Sequence, residues 1–327
     1  MSDIGNILGK RILVLDGAMG TMIQRYAPDE ATFRGAYFAR HNTQLLGCYD
    51  ILNITAPHII NEIHCAYLDA GADIITTNTF NANALSLAQY NLQEYVSEIN
   101  ISAATLARQL ADKNTTHTPD KQRWVAGSVG PTALNCSTSE ADADKTFALL
   151  ADAYTTQMEA LIAGGVDLLL VETICNLTTA QAALYAVECA TKRTQRTIPI
   201  MLSITTTPEG TMLSGHTLDD FVTAVSRAPI LSVGINCSYG AATLLPQLRT
   251  LSRIAPCYIS VHPGAGIPDS SGVYHTTDAN TADSMKSFID EGLVNIVGGC
   301  CGTTPQLTAL LCQATQGATP RRLPTQS

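Results

Sequence analysis

Two adjacent cysteines, Cys300 and Cys301, lie in the glycine-rich segment NIVGGCCGTTP at residues 295–305. Successive side chains of an extended strand point to opposite faces, so both sulfurs can reach one centre only where the backbone bends. Glycine adopts positive φ at low cost and is expected to provide this bend. Three glycines flank the pair: Gly298, Gly299 and Gly302. The segment is therefore a candidate for chemistry on sulfur.

A third cysteine has a similar setting, because Cys237 also closes an apolar run, in the segment LSVGINCS. Three thiolates about 2.3 Å from a zinc ion would leave its fourth tetrahedral position open, as in catalytic zinc sites. Zinc with three sulfur ligands suits a soft fourth ligand, and a substrate thiol bound there would be deprotonated yet nucleophilic. The cysteines thus predict a zinc site that favours thiol alkylation. A vicinal disulfide between Cys300 and Cys301, or plain burial of small side chains, stays open as an alternative.

Two acidic residues and a short backbone segment could hold a small amino acid. Asp16 and Glu172 each follow an apolar run and could accept hydrogen bonds from an ammonium group. The backbone N–H groups of Gly17 and Ala18 could approach a carboxylate closely. Equally, Asp16 could be a turn residue, and Glu172 could pair with a neighbouring cation, because an unpaired charge beside LLLV is costly. His262 could be a base, but a histidine satisfied by backbone groups is as good an interpretation, so it receives no catalytic role.

The elements that must position these residues follow a regular alternation. Eight apolar runs of strand length each precede a helical pattern, which predicts an α/β fold of the (βα)₈ TIM-barrel class in a single domain. The predicted strands lie at residues 11–15, 73–77, 123–126, 167–171, 198–204, 230–235, 257–261 and 293–297. The pattern also predicts one long helix at 84–112 and surface loops at 28–44 and 112–122. We expect the domain to span residues 1–327, with a flexible tail from about residue 318.

The placement of the polar residues favours this barrel over its rival, a doubly wound open sheet. All of them lie at the carboxyl ends of predicted strands: Asp16, Asn78, Glu172, Asn236, Cys237, His262, Cys300 and Cys301. Those ends converge on one mouth in a barrel, whereas the ends of distant strands in an open sheet could not meet. We therefore expect one site at the mouth, with Asn78 among its substrate-binding residues.

The composition limits the class of partner. Of 327 residues, 46% are hydrophobic and 14% are charged, and the net charge is −9 with a pI near 5.2. This acidic balance argues against nucleic acid or an anionic membrane surface as a partner. No apolar stretch approaches the length that crosses a bilayer, and the N-terminal apolar run is too short for a signal peptide. With ten cysteines, we expect a protein of the reducing cytoplasm.

Several segments resemble the homocysteine-binding module of cobalamin-dependent methionine synthase, and the resemblance extends from Gly9 to about Pro324. The segments are ILVLDGAMGTMIQ, ADIITTNTFNA, LLLVETI, PIMLSIT, GTMLSG, GINCS and NIVGGCCGTTP. The resemblance implies a (βα)₈ barrel whose zinc ion binds homocysteine as the thiolate. The implied Zn²⁺ ligands are Cys237, Cys300 and Cys301. The implied neighbours of the amino acid end of homocysteine are Asp16, Gly17, Ala18 and Glu172. Asn236 is implied to help fill the site when substrate is absent.

The resemblance also bears on the methyl donor. The cobalamin signature D-x-H-x-x-G surrounds none of the seven histidines, and the further domains of methionine synthase do not fit within 327 residues. The expectation is a methyltransferase of methionine biosynthesis that takes its methyl group from methylcobalamin, held by a partner protein or by domains outside this sequence. A stand-alone homocysteine methyltransferase that uses S-methylmethionine or betaine is the alternative. A non-catalytic zinc- or thiol-binding module is a third hypothesis, of another class.

At three positions around the expected mouth, this sequence differs from the family that it resembles. GPTALNCS follows the third strand where the family has GPTN and then arginine, and the loop after it is shorter. Gly264 follows His-Pro where asparagine is expected, and Cys48-Tyr49-Asp50 replaces an asparagine-rich turn. These positions concern the docking of the methyl donor more than the metal. Because a small donor needs an enclosed pocket, the loop after Pro131 bears on the choice between donors.

Overall fold

Eight parallel strands form a barrel in the computed structural model, which describes residues 4–132, 134 and 143–324. The strands are β1 (Leu13–Val14), β2 (Ile74–Thr76), β3 (Trp124–Val129), β4 (Leu168–Ile174), β5 (Ile200–Ile204), β6 (Ser232–Cys237), β7 (Tyr258–Pro263) and β8 (Ile296–Val297). Neighbours follow the order β1-β8-β7-β6-β5-β4-β3-β2, and a parallel bridge from Leu15 to Ile74 closes the ring. The predicted (βα)₈ TIM-barrel class is confirmed.

Thirteen helices surround or cap the barrel within the described ranges. They are α1 (Ile4–Leu8), α2 (Met19–Arg25), α3 (Glu30–Arg34), α4 (Leu52–Thr55), α5 (Pro57–Asp69), α6 (Ala84–Leu87), α7 (Val96–His117), α8 (Ala143–Ala163), α9 (Leu177–Thr194), α10 (Leu218–Val225), α11 (Leu245–Ile254), α12 (Asp278–Asp290) and α13 (Pro305–Ala314). None of these helices combines the length and the apolar character that crossing a membrane requires.

Alternate residues of the strands fill the barrel interior, since successive side chains point to opposite sides of a strand. The inward residues form one apolar cluster: Leu13, Leu15, Ile74, Trp124, Ala126, Leu168, Leu170, Met201 and Ile296. The residues between them, such as Val125 and Leu169, belong to a larger cluster beneath the helices. Ile4 and Leu8 of α1, which the sequence pattern did not predict, join the interior cluster. The barrel is therefore a packed core, and the chemistry is confined to its mouth.

Four strands, β3 among them, run further than the sequence predicted. β4, β6 and β7 continue past the apolar runs, so that Glu172, Asn236 and His262 lie inside strands rather than after them. The backbone of Asn236 pairs with His262, and that of Cys237 pairs with Pro263. Hydrophobic patterning detects only the apolar part of a strand, whereas backbone pairing continues to the mouth whatever the side chain. The shift makes the site more rigid than a set of loop residues would be.

The predicted helix at 84–112 is wrong as a single element. After α6 the chain makes 3₁₀ turns at Ala88–Tyr90 and Gln93–Tyr95 before α7 begins, and α7 continues to His117. Asn91 breaks the helix because its φ of +55° belongs to the left-handed region. The predicted surface loop at 28–44 is also only partly exposed. It contains α3, and both Phe33 and Phe38 are buried in the core.

The predicted flexible tail is wrong at its start. Arg321 is 5% exposed, and its guanidinium donates at 2.6–3.1 Å to the carbonyl oxygens of Ser252, Ala255 and Cys257. The side-chain amide of Asn295 donates to the Arg321 carbonyl at 2.8 Å. A buried guanidinium is tolerated when its donors are satisfied in this way. The polar composition of the tail gave no sign of this docking.

Candidate metal centre and active site

The three sulfurs singled out by the sequence meet at the mouth of the barrel. Cys237 Sγ lies 3.6 Å from Cys301 Sγ, and Cys300 Sγ lies 3.9 Å from Cys301 Sγ. All three sulfurs are within 4.8 Å of one another, and all three cysteines are free rather than disulfide-bonded. A tetrahedral ion about 2.3 Å from each sulfur would separate them by about 3.8 Å. The spacing and the all-sulfur donor set therefore fit a zinc ion with one open position.

The end of β6 turns Cys237 toward the mouth through an uncommon backbone. Cys237 has φ of +52° and Ser238 has φ of +55°, both in the left-handed region that non-glycine residues seldom adopt. The Ser238 hydroxyl fixes this bend by donating to the Asn236 carbonyl and accepting from the Thr206 N–H, each at 3.1 Å. Two strained residues in succession are maintained only where neighbouring contacts enforce them.

The glycines beside Cys300 act differently from the sequence prediction. Gly302 has φ of +81°, as expected, but neither Gly298 nor Gly299 has positive φ. A Cβ on Gly298 would lie 2.7 Å from the Leu15 Cβ, and one on Gly299 would lie 2.3 Å from the Thr303 Oγ1. These two glycines are needed for close packing against β1 and the following turn, not for backbone freedom.

Hydrogen bonding concentrates negative charge on one sulfur of the cluster. The hydrogen bonds from Cys237 and Cys300 lower the pKa of Cys301 to about 3, and a hydrogen bond from Tyr274 adds to this. The pKa of Cys300 is raised well above its ordinary value by its hydrogen bonds to the other two cysteines and by burial. Burial raises the pKa of Tyr274 to about 12, so its hydroxyl remains a donor. The hydrogen bonds within the cluster therefore favour ionisation of Cys301 over that of Cys300.

A cavity of about 320 Å³ adjoins the sulfurs and is lined by three carboxyl groups, of which Asp16 and Glu172 were predicted and Asp50 was not. Asp16 is 1% exposed, and it accepts from the Thr76 N–H at 2.7 Å. Glu172 accepts from the Ser128 hydroxyl at 2.6 Å. Burial raises the pKa of Asp16 well above its ordinary range and that of Glu172 to about 7. Two such carboxyl groups would gain from a bound cation such as an ammonium group.

Gly17 and Ala18 line the same cavity. A Cβ on Gly17 would lie 2.9 Å from both the Tyr67 hydroxyl and the Thr303 Oγ1, so glycine is required by space. The Tyr67 hydroxyl donates to the Ala18 carbonyl at 3.1 Å. Neither residue has a side chain larger than a methyl group, so backbone atoms form this part of the cavity wall.

The two predicted asparagines are engaged with the protein. Asn78 lines the cavity, but its amide donates to the Tyr49 carbonyl at 2.8 Å. Asn236 lies behind the cysteines: its Oδ1 accepts from the Thr173 N–H and its Nδ2 donates to the Thr173 Oγ1, both at 2.8 Å. Its Nδ2 is also 3.9 Å from Cys300 Sγ. Both side chains therefore hydrogen-bond to residues that surround the site.

Comparison with known proteins identifies the family. The sequence model of the homocysteine S-methyltransferase family matches residues 13–315. The chain belongs to this family. Three solved structures of the homocysteine methyltransferase MmuM from Escherichia coli, in metallated, oxidised and apo forms, have a similar fold at 22% sequence identity. Their TM-scores are 0.73, 0.75 and 0.68, and the matches cover 94–95% of this chain and 98–99% of the other.

Family membership makes the chain a methyltransferase, with homocysteine as the methyl acceptor that the family name gives. The family predicted from GINCS and NIVGGCCGTTP is therefore confirmed at this level.

Two of the three departures from the family's sequence lie next to the cysteines or the cavity. Gly264 donates its N–H to the Cys237 carbonyl at 3.0 Å, and a Cβ there would lie 3.2 Å from the Cys301 carbonyl. Tyr49 and Asp50 line the cavity. Residues 133 and 135–142 of the loop after Pro131 lie outside the described residues.

Three contributors to the site escaped the sequence reasoning in whole or in part. His262 was noticed but received no role; it is 2% exposed, and its Nε2 has no hydrogen-bond partner among the described residues. Burial lowers its pKa to about 3, so the ring is neutral beside Glu172 and Cys300. Thr173 adopts φ of +59° to meet Asn236. Tyr274 comes from the irregular segment after β7, where no periodicity could mark it.

Proposed function

We propose that this protein is a zinc-dependent homocysteine S-methyltransferase that forms methionine with a methyl group from methylcobalamin carried by another protein or domain. The observation that supports it most is the three-sulfur cluster on the edge of a cavity that contains the buried carboxyl groups of Asp16 and Glu172, among others. This arrangement matches the two ends of homocysteine. One end is a thiol, and the other is an ammonium group next to a carboxylate.

The protein's own groups would bind and orient the substrate. Asp16 and Glu172 would accept hydrogen bonds from the ammonium group, and the Gly17–Ala18 backbone would lie against the substrate carboxylate. Gly17 and Ala18 both line the cavity next to Asp16. With that end fixed, the four-atom chain of homocysteine would extend toward the cysteines. Orientation of this kind reduces the entropic cost of bringing sulfur and methyl carbon together.

The sulfurs of Cys237, Cys300 and Cys301 would hold the metal ion. When bound, zinc would lower the pKa of the substrate thiol, while the cysteine ligands leave electron density on sulfur. The deprotonated homocysteine sulfur then attacks the methyl carbon. A carbon–sulfur bond forms as the bond between methyl carbon and donor breaks, and the donor retains the electron pair. The thiol proton leaves to solvent, and methionine is the product.

A large donor has access to the cluster. Cys301 is exposed at the mouth, while Cys237 and Cys300 are only half-buried. A corrinoid carried on another protein must present its methyl group to the sulfur from outside the barrel. The exposed side of Cys301 offers that approach.

A second candidate donor class is supported by a separate observation. A cavity of about 230 Å³ lies beside the first, and both are lined by Asp50 and Asn81. The Asp50 carboxyl is buried, accepts from the Asn81 N–H at 2.9 Å, and has its pKa raised to about 6 by burial. A buried carboxyl between two cavities suits a small donor with a sulfonium or quaternary ammonium group, such as S-methylmethionine or betaine. A chain that used such a donor would not need a corrinoid carried by another protein or domain.

Methionine formation by the zinc-loaded protein tests these alternatives directly. We would supply homocysteine with methylcobalamin, S-methylmethionine or betaine in parallel. Product with methylcobalamin alone is the expected result. Product with a small donor alone would overturn the proposed donor and retain the acceptor. Bound zinc without product from any donor would leave a non-catalytic zinc- or thiol-binding module.

The role of the cysteines has its own test. Cys237→Ala should lose zinc and reduce methyl transfer more than about 100-fold, because two sulfurs hold the ion far less well than three. Cys189→Ala, in α9 and away from the mouth, is the matched control and should retain both zinc and activity. Circular dichroism would confirm that each variant is folded. Full activity in Cys237→Ala would refute the zinc mechanism.

A further inference from the structure

A cavity of about 630 Å³ lies opposite the mouth, at the end of the barrel where the strands begin, and we call it the basal cavity. Its walls include residues 9–12 before β1, residues 120–121 before β3 and residues 315–320 after α13. None of the described residues lines both this cavity and the one beside the cysteines. Small-molecule sites occupy about 300–1,000 Å³, so a ligand has space here without touching the candidate active site.

Cationic side chains outnumber carboxylates around the basal cavity. Its described lining contains four cations and two carboxylates: Lys10, Arg11, Lys121 and Arg322 against Asp73 and Asp120. The whole chain has the opposite balance, with 19 Lys and Arg against 28 Asp and Glu. Salt screens distant charges, so the field that a ligand meets in this cavity is set by the cations that line it. The basal cavity should therefore attract anions although the protein is acidic.

The buried carboxylate of Asp73 is shared by three cations and cannot balance all of them. Arg11 donates to its two oxygens, each at 2.9 Å, and Lys121 Nζ lies 3.6 Å from Oδ1. Arg123, which is 4% exposed, also interacts electrostatically with Asp73. The Nε of Arg123 has no hydrogen-bond partner among the described residues. One negative charge thus faces three positive charges.

The other two cations of the lining, Lys10 and Arg322, have side chains with no ion pair or hydrogen bond within the described part of the chain. The backbone next to each is nevertheless held in place. The Asn295 amide donates to the Leu8 carbonyl at 3.3 Å and to the Arg321 carbonyl at 2.8 Å. One side chain therefore connects the segment that carries Lys10 to the segment that carries Arg322. Two unpaired cations are thereby placed on the same cavity.

We propose that the basal cavity binds a compact anion with two or more phosphate charges, such as a diphosphate or a small phosphate ester. Lys10 and Arg322 would donate to the phosphate oxygens, since ammonium and guanidinium groups form charge-assisted hydrogen bonds with phosphate. Arg11 and Lys121 would add positive charge while they remain beside Asp73. A singly charged carboxylate would leave much of the excess positive charge unbalanced. Binding in the basal cavity is independent of methyl transfer at the mouth.

The test uses the full chain and inorganic pyrophosphate, in phosphate-free buffer at constant ionic strength. Isothermal titration calorimetry would compare wild type with a double variant that combines Lys10→Gln and Arg322→Gln. Neither side chain has a described partner to lose, so this variant should fold normally. Its Kd for pyrophosphate should be about 10- to 100-fold higher than that of wild type, because hydrogen bonds between charged groups are removed. Pyrophosphate should also raise the Tm of wild type more than that of the variant, because a ligand stabilises the state that binds it.

A second double variant, Lys286→Gln with Arg227→Gln, is the matched control. Both residues are exposed, neither lines the basal cavity, and the change removes the same charge. The control should bind pyrophosphate as wild type does. An equal loss of affinity in both double variants would overturn the basal site, because only the net charge would then matter.

Equal Kd values in all three proteins, or no binding to wild type, would also overturn it. Pyrophosphate held by a metal ion at the mouth would give equal Kd values and so cannot imitate the expected result. Once the expected difference is observed, titration with ADP separates the sources of the phosphate groups. Tighter binding of ADP than of pyrophosphate would indicate a nucleotide, and weaker binding would indicate a smaller phosphate compound.

Discussion

At the scale of single residues, the site is a set of groups whose ordinary charges are changed by burial. Asp16 and Glu172 share a cavity, where burial raises the pKa of both and the charge of Glu172 raises that of Asp16 further. His262 beside them is neutral. The pocket is consequently short of positive charge, and binding an ammonium group would favour ionised carboxylates. Substrate recognition should therefore be linked to protonation.

Glu172→Gln is the first prediction at this scale. Because Glu172 has its pKa raised to about 7, its carboxylate fraction and hence its affinity for ammonium should fall as the pH drops below 7. The glutamine variant should raise the KM for homocysteine about 10- to 100-fold, as expected for a lost hydrogen bond to a charged group. It should also lose the part of the pH dependence of KM that Glu172 causes.

Steady-state kinetics between pH 6 and 8 would check this, with Glu188→Gln as control on the exposed face of α9. An unchanged KM in Glu172→Gln would remove Glu172 from substrate binding.

A second residue-scale prediction concerns His64, which is fully buried in α5 with neither ring nitrogen hydrogen-bonded among the described residues. Burial lowers its pKa to about 4, below the ordinary value near 6.5. The contribution of the neutral ring to the free energy of unfolding is fully present above about pH 6.5. It is lost as the pH falls toward 4, because over this range the unfolded chain takes up a proton that the folded chain does not. The total loss is at most about 3 kcal/mol.

Urea unfolding at pH 8, 6 and 4.5 would measure this loss. In His64→Leu, the free energy of unfolding should fall less on acidification than in wild type, by about 2–3 kcal/mol. The exposed His58→Leu should behave like wild type. Parallel pH curves for wild type and His64→Leu would show that His64 is not responsible.

At the scale of elements, close backbone packing positions the cysteines. Gly298 N–H donates to the Val261 carbonyl, and Gly299 N–H donates to the Asp16 carbonyl at 2.9 Å. The turn that carries Cys300 is thus fastened to the strands on either side of β8. The same hydrogen bonds connect the turn of Cys300 and Cys301 to Asp16, which lines the cavity.

Gly298→Ala should disturb this element. Its Cβ would meet the Leu15 Cβ at 2.7 Å and the Leu15 and Asp16 carbonyl oxygens at 3.0 and 3.1 Å. Backbone atoms cannot move aside cheaply, so we expect a loss of about 1–3 kcal/mol of stability and weaker zinc binding. Gly5→Ala in α1, which has open space around its Cβ, should be neutral or slightly stabilising. Thermal melting and chelator competition on both variants would decide, and normal behaviour of Gly298→Ala would contradict this account.

Most elements could be predicted from the sequence because eight buried apolar runs leave a strong pattern. The three cysteines could be brought together because parallel strands must share a mouth. Other features depend on contacts that no pattern contains. The left-handed conformations of Cys237 and Thr173 follow from hydrogen bonds made across the barrel. The docking of Arg321 and the contact of Tyr274 with Cys301 join residues far apart in the chain, so neither spacing nor periodicity could reveal them.

At the scale of the whole molecule, the mouth and the opposite end of the barrel have separate tasks. The mouth carries the cysteines and the buried carboxyl groups of the candidate site, whereas α1 and Arg321 lie at the opposite end. The Arg321 guanidinium satisfies carbonyl groups at the end of α11 and the start of β7. Stability there should therefore be independent of metal and substrate.

Arg321→Ala tests this division. Removing a buried guanidinium leaves several carbonyl oxygens without partners, and we expect a loss of about 2–4 kcal/mol in the free energy of unfolding. The KM for homocysteine and the affinity for zinc should not change while the protein is folded. Arg322→Ala, at the neighbouring exposed position, is the control and should unfold like wild type. Equal unfolding midpoints for the two variants would show that the Arg321 contacts contribute little.

One side-chain amide, that of Asn295, donates both to the Leu8 carbonyl at 3.3 Å and to the Arg321 carbonyl at 2.8 Å. Residues 8 and 321 therefore meet on the face away from the mouth, so a short peptide could connect them. A circular permutant joined there and reopened at the exposed Gln195–Arg196 turn would keep every strand and every mouth residue. The order in which the eight βα units are translated is thus separable from the site that they build.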